Sequence, residues 1–332
     1  MNQKEIAGML GVSEATVSLV LNDSPKVNKE TRNRVRKVLD ATGFQPSEIA
    51  RSLAMKKTWT IGIIIPAFSS HFYAEFVEEI HKSLSEKGYI ALTLAPETPE
   101  EVEGIIMTFL RRRVDGVISA EIGHADIALL RNKQLPFVLY HGVSDKSVDY
   151  VSTDRYKGSY LLTEHLIKLG RKDIGFLGYR TDEEKRFAGY RDCLHAHRIL
   201  LTREWVVPGR GLYLNGYEAA EKLLSLRRLP QAVMALNDTM AIGAMRAIRE
   251  HGLRIPQDMA VVGFDNVEEG EYSCPPLTTV SQPRSEIARR LVDILLMRIE
   301  NKNGVPAQRI DLEPELVIRE SCGARDKKRR QS

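Results

Sequence analysis

Lys4 to Asn22 reads KEIAGMLGVSEATVSLVLN, and three of its positions have the spacing of a helix-turn-helix. Ala7 is a small residue where two helices would touch, Gly11 suits the turn, and Val17 is a β-branched residue within the second helix. Ser13 can cap that second helix, and Glu14 suits its positive first turn. Val17, Val20 and Leu21 follow the i, i+3, i+4 rule and are expected to face inward. Glu14, Ala15, Ser18, Leu19 and Asn22 are left on the opposite face, which can enter a major groove. The plainer alternative is a three-helix mini-domain with a solvated basic face.

Working outward, Asn28 is placed to cap a third helix whose buried stripe is Val35, Val38 and Leu39. Lys29, Arg32, Arg34, Arg36 and Lys37 surround that stripe and suit phosphates. At 60–66, TIGIIIP starts a different pattern of short β-branched runs alternating with helices, so a boundary falls near Lys57. Further buried strands are predicted at 90–94, 116–119, 136–140, 173–178, 231–236 and 260–264, which indicates a parallel sheet covered on both faces. The run IGIII at 61–65 is echoed by IGFLG at 174–178, so two similar α/β subdomains are expected.

A chain of 332 residues is long enough for about two domains, and 43% hydrophobic with 28% charged residues is a globular composition. The net charge of +4 is unevenly spread. Residues 1–60 hold 10 Lys and Arg against 6 Asp and Glu, and 325–332 hold 5 against 1, which leaves 61–324 acidic with 33 against 37. Basic ends on an acidic body suggest a polyanion at one end, with nucleic acid the first candidate. Cys193, Cys274 and Cys322 form no Cys-x-x-Cys pair and fit a reducing compartment, so no metal and no disulfide framework is expected. No apolar run approaches the ~18 residues of a membrane span, and the first ten residues are too polar for a signal peptide. A cytoplasmic, nucleoid-associated protein is expected.

The opening run, the following VNKETRNRVRKVLDATGFQPSEIARSLAMKKTWTIGIIIP, and ordered landmarks beyond them resemble the lactose/galactose repressor (LacI/GalR) family. The landmarks are DGVI (115–118), TEHLIKLGRKDIGFLG (163–178), RFAGYRD (186–192), NDTMAIGAMRAI (237–248), VVGFDN (261–266) and PPLTTVSQP (275–283). The resemblance implies a small all-α helix-turn-helix headpiece over 1–46 and a hinge helix over 47–57. It implies a core like that of periplasmic binding proteins over 58–322, with two doubly wound parallel-sheet subdomains at about 58–156 with 283–309 and about 157–282 with 310–322. Residues 323–332 have too few apolar side chains to pack and read as a disordered basic tail.

Function follows from the same resemblance: a bacterial transcriptional regulator, a repressor by expectation, acting as a homodimer on a pseudo-palindromic operator. DNA contacts are expected from Glu14, Ala15, Thr16, Ser18, Leu19 and Asn22, from Asn28 and Arg32, and from Ala50 and the minor-groove wedge Leu53. Where the family usually has Arg, this chain has Leu19, so a guanine contact is missing or replaced by contact with a methyl group. Effector contacts are expected from Phe72 and Tyr73, which open the first core helix, and from Arg186, Asn237 and Asp265, which lie at strand ends or the loops after them. A guanidinium with a carboxylate suits a polyhydroxylated or anionic small molecule, a sugar or related metabolite first, a nucleoside or phosphorylated metabolite second. Asp238 is equally suited to capping a helix.

Gly211 falls where relatives often place an aromatic platform, which Tyr213 would have to replace. Asp293 and Met297 stand where the catabolite-control branch uses Arg and Lys on a phosphocarrier protein, so that partner is not expected. No nucleophile elbow, phosphate-binding glycine loop or His-Glu-x-x-His motif is present, and His195 and His197 would point to different sides of a helix. An enzyme is therefore not expected, and neither is a cofactor. A secreted sugar-binding protein would share the core fold but have no use for the headpiece.

Overall fold

The computed structural model describes residues 2–21, 24–43, 52, 55, 57–120, 122–179, 181, 184–300 and 304–324. The chain separates into two compact units, Met1–Trp59 and Thr60–Ser332.

In the first unit, α1 (Gln3–Leu10), α2 (Glu14–Leu21) and α3 (Lys29–Thr42) pack around Ile6, Ala7, Val17, Val20, Val35 and Leu39. A reciprocal cap starts α1: the Asn2 side chain accepts from the Glu5 N–H, and the Glu5 carboxylate accepts from the Asn2 N–H. Gly11 ends the helix at φ 64°, a left-handed conformation costly for a residue with a Cβ. With so small a core, the caps matter to whether these short helices form.

The second unit carries two parallel sheets. The first has the order β11-β5-β4-β3-β1-β2, from β1 (Thr60–Ile64), β2 (Ile90–Leu94), β3 (Gly116–Ser119), β4 (Phe137–Tyr140), β5 (Tyr150–Thr153) and β11 (Arg309–Leu312). The second has the order β7-β6-β8-β9, from β6 (Ile174–Leu177), β7 (Val206–Val207), β8 (Ala232–Ala235) and β9 (Ala260–Val262). A small antiparallel pair joins β10 (Thr279–Ser281) to β12 (Glu315–Val317). The helices are α4 (His71–Glu86), α5 (Val102–Arg112), α6 (His124–Asn132), α7 (Arg155–Lys168), α8 (Lys185–Ala196), α9 (Tyr213–Leu224), α10 (Asp238–Glu250), α11 (Glu268–Tyr272) and α12 (Arg284–Glu300).

Each sheet has its own apolar layer, with Ile64, Ile106, Phe109 and Val117 in the first and Phe176, Tyr190, Met234 and Phe264 in the second. Helices α9 and α10 touch backbone to backbone: a Cβ added at Gly216 would overlap the Met240 carbonyl. The seven predicted strands are present within a residue or two of their expected ends, while β5, β7, β10, β11 and β12 were not anticipated. The physical reason is pattern: these five are two to four residues long, and YVST and RIDL carry polar side chains that break an apolar run. The division expected at residues 309 and 310 falls inside β11, which pairs with β5 in the first sheet, so the chain passes toward the second sheet only after Leu312. Among the described residues, no helix is long and apolar enough to cross a membrane.

Candidate DNA-binding and effector-binding sites

The turn between α1 and α2 forms as its residue types require. Ser13 Oγ accepts the Thr16 N–H at 3.1 Å and shares a 2.9 Å hydrogen bond with the Thr16 hydroxyl. Val17 and Val20 are buried and Leu21 is half-buried against them, which leaves Glu14 and Ala15 exposed at the start of the helix. Thr16, Ser18 and Leu19 are half-buried, less open than the sequence reading of that face supposed for Ser18 and Leu19. Beyond α2, Ser24 N–H donates to the Leu19 carbonyl at 2.9 Å.

Asn28 caps α3, its side-chain oxygen accepting the Thr31 N–H at 2.8 Å. Two arginines read as phosphate contacts also brace the fold: Arg32 donates to the Ser24 carbonyl, and Arg34 to the Leu10 carbonyl at 2.9 Å. That second bond satisfies a carbonyl at the end of α1 that has no partner within the helix. Asn22, Ala50 and Leu53, along with most of the expected hinge and the tail from 325, lie outside the described residues.

In the second unit, groups from the carboxyl ends of strands in both sheets come together, where open α/β folds bind ligands. At the end of β4, Tyr140 O–H donates to Gln282 Oε1 at 2.9 Å, and Gln282 Nε2 donates to Asp265 Oδ1 at 2.7 Å. This chain of hydrogen bonds links the first sheet to the loop after β9 in the second. Arg284 extends the link, pairing with Glu75 at 2.8 Å and donating to the Asp265 carbonyl at 3.1 Å. At the opening, His71 pairs with Glu269, and the rings of His71 and Tyr213 lie 6.3 Å apart.

Arg186 donates from Nε to Glu184 at 2.9 Å and from a terminal nitrogen to the Leu236 carbonyl at 2.9 Å, with its guanidinium over the Phe264 ring. Burial would raise the Glu184 carboxyl, but Arg186 and Arg155 outweigh it and hold the group down at about 2. Burial raises Asp265 to about 7 against the pull of Arg186, and buried Asp238 pushes in the same direction as burial. Loss of surrounding water, with Arg155 and Arg186 nearby, drives His141 well below the usual histidine range, so its imidazole is neutral. The His141 ring lies tilted 3.8 Å from the Tyr140 ring and reaches Ser152 Oγ at 3.3 Å.

Tyr73, Arg186 and Asp265 therefore fall in one electrostatic cluster. Phe72 is buried, stacked on Phe76 and Tyr140, and supports the wall from behind. Asn237 caps α10: its oxygen accepts the Met240 N–H at 2.9 Å and its amide donates to the Gly211 carbonyl at 3.0 Å. The cap is thus Asn237 and not Asp238, which is fully buried and accepts from Thr279 Oγ1 and the Val267 N–H. Sequence reasoning missed Tyr140, His141, Arg155, Glu184 and Gln282. Their signal was positional, since Tyr140 ends a predicted strand, His141 follows it, and Gln282 lies within the quoted PPLTTVSQP. Arg155 follows β5, which was not anticipated. Among the described residues, no three His, Cys, Asp or Glu side chains gather as a metal site.

Residues 3–47 match the model of bacterial regulatory proteins of the lacI family, and 163–322 match a periplasmic binding protein-like domain. The chain is 34% identical over 330 residues to the HTH-type transcriptional repressor PurR of Pasteurella multocida, covering 97% of this chain and 98% of that one. Among solved structures, the Lac repressor dimer bound to operator and the anti-inducer ONPF matches with a TM-score of 0.86 and 26% identity, over 97% of this chain and 99% of that one. The transcriptional regulator CelR in complex with cellobiose matches with a TM-score of 0.75 and 29% identity, over 97% and 99%. The headpiece, the paired parallel sheets and this likeness over nearly the whole length lead to one conclusion: the chain belongs to the LacI family of DNA-binding transcriptional regulators and is not an enzyme.

Proposed function

We propose that the protein is a homodimeric repressor that reads a pseudo-palindromic operator through Glu14 and Ala15, with Thr16, Ser18, Leu19 and Asn22 beside them. Asn28 and Arg32 position the headpiece on phosphates, while Ala50 and Leu53 act in the minor groove. A small molecule, a sugar or related metabolite, binds in the cleft and changes operator affinity. The observation that carries the reading is the Tyr140–Gln282–Asp265 chain, because it couples both sheets at the strand ends where a ligand would sit. Cellobiose bound to CelR, and operator with anti-inducer bound to the Lac repressor, support the same assignment.

Tyr73, Arg186 and Asp265 face the ligand in this account, Phe72 backs the wall, and Asn237 shapes the loop at Gly211. Gly211 has φ 83°, and Tyr213, which begins α9 and lies beside His71, is the aromatic group available in place of a platform there. A phosphocarrier partner is disfavoured, since Asp293 is drawn into pairs with Lys87 and Arg289 and Met297 has no charge. Footprinting tests the assignment. Full-length protein should protect a two-fold operator, protein lacking residues 1–57 should not, and Leu53→Ala should weaken binding and reduce the DNA bend. Unchanged affinity without residues 1–57 would refute it.

A further inference from the structure

Arg155 is the first residue of α7, next to the Asp154 cap, and enters the cleft at the end of β5. Strand β5 pairs with β4, and His141 reaches Ser152 at 3.3 Å, so Arg155 follows the strand beside Tyr140 and His141, where its charge is felt by Arg186, Glu184 and the phenols of Tyr73 and Tyr140. Arg186 has Glu184 and a backbone carbonyl as partners. The Arg155 side chain is half-buried and, among the described residues, makes neither a hydrogen bond nor an ion pair. A guanidinium that gives up part of its hydration beside a second guanidinium, with no acceptor of its own, is unfavourable unless something else supplies the acceptors.

The nearby groups do not supply them. Glu184 is committed to Arg186, Asp265 accepts from Gln282, and His141 is neutral. We propose that the cleft takes a small organic acid, carrying a carboxylate or a phosphate, and that Arg155 and Arg186 together grip the acidic group. Planar guanidinium forks suit both anions through paired N–H···O bonds. Asp265, held largely protonated below about pH 7, adds little opposing charge and offers an O–H to a ligand oxygen. The proposal rests on the cleft being the effector site and narrows the effector to acids.

Three probes with one six-carbon skeleton test it: D-glucose, D-glucuronate and D-glucose 6-phosphate, with inorganic phosphate as a fourth, all at matched ionic strength. Thermal shift and calorimetric titration would use the full-length chain, Arg155→Gln and Arg155→Lys. At least one acidic probe or inorganic phosphate should bind wild type, and D-glucose should not. Arg155→Gln should weaken that binding about tenfold or more, with Arg155→Lys losing less. Should Arg155→Gln fail to fold, the charge-retaining Arg155→Lys and the fall in acid affinity with added salt decide the matter. Which probe binds separates carboxylate from phosphate. The proposal is overturned if no acid binds wild type better than it binds Arg155→Gln, including no binding at all. A neutral sugar that binds both alike and shifts operator affinity would discard the acidic class while leaving the effector cleft in place. An acid held through Arg155 that leaves operator affinity unmoved would do the reverse.

Discussion

Asp265 sits at φ 118°, buried, with Gln282 on one oxygen and its carboxyl raised to about 7. A carboxyl whose folded value lies above its unfolded value near 4 holds its proton more tightly when folded. Its contribution to stability is therefore fully present below the unfolded value and is lost as pH rises through about 7. Asp265→Asn keeps an oxygen for Gln282 but cannot ionise. Between pH 6 and pH 8 the stability difference should move in favour of the variant by about 1 kcal/mol, measured by denaturant melts; a difference independent of pH would mean the carboxyl is charged throughout. Single residues of the cleft were the least legible in the sequence. Arg186 and Asp265 were legible because each lies in a motif after a predicted strand. Arg155 was not, because its strand is too short and too polar to mark the position. Asn237 and Asp238 are adjacent and both suit a cap, and only the fold decides which side chain reaches the Met240 N–H.

Elements were easier to read where periodicity runs long. The three headpiece helices and the seven apolar strands follow from spacing alone, since a buried stripe or a β-branched run is the physical cause of each. Strands β10, β11 and β12 depend on partners far away in sequence, such as Arg309–Leu312 against Tyr150–Thr153, and no local pattern encodes that pairing. The α9–α10 contact gives a prediction at this scale. Gly216→Ala would place a methyl group against the Met240 backbone, in a crossing that has no flexible side chain to yield. Overpacking of this kind costs about 1–3 kcal/mol. It should also move the start of α9, so ligands that touch Tyr213 should bind more weakly. A melting temperature equal to wild type would show that the two helices have room to separate.

For the whole molecule, the proposed function has effector and operator acting on one conformational equilibrium, so each should change the affinity of the other by the same factor. Effector titrations with and without saturating operator should therefore give a ratio equal to the ratio of operator affinities with and without effector. Unequal ratios would mean that more than two states or a second site is involved. The proposed homodimer is tested by sedimentation, which should show a dimer; a monomer at operator-binding concentrations would contradict it.

Sequencing the duplexes that the protein retains from a random pool shows whether the headpiece reads a two-fold DNA sequence. An enriched inverted repeat is predicted, with Glu14→Gln shifting the preferred base at one position in each half-site and leaving the others unchanged. Retention without an enriched repeat, or the same repeat with no change at any position for Glu14→Gln, would contradict the account.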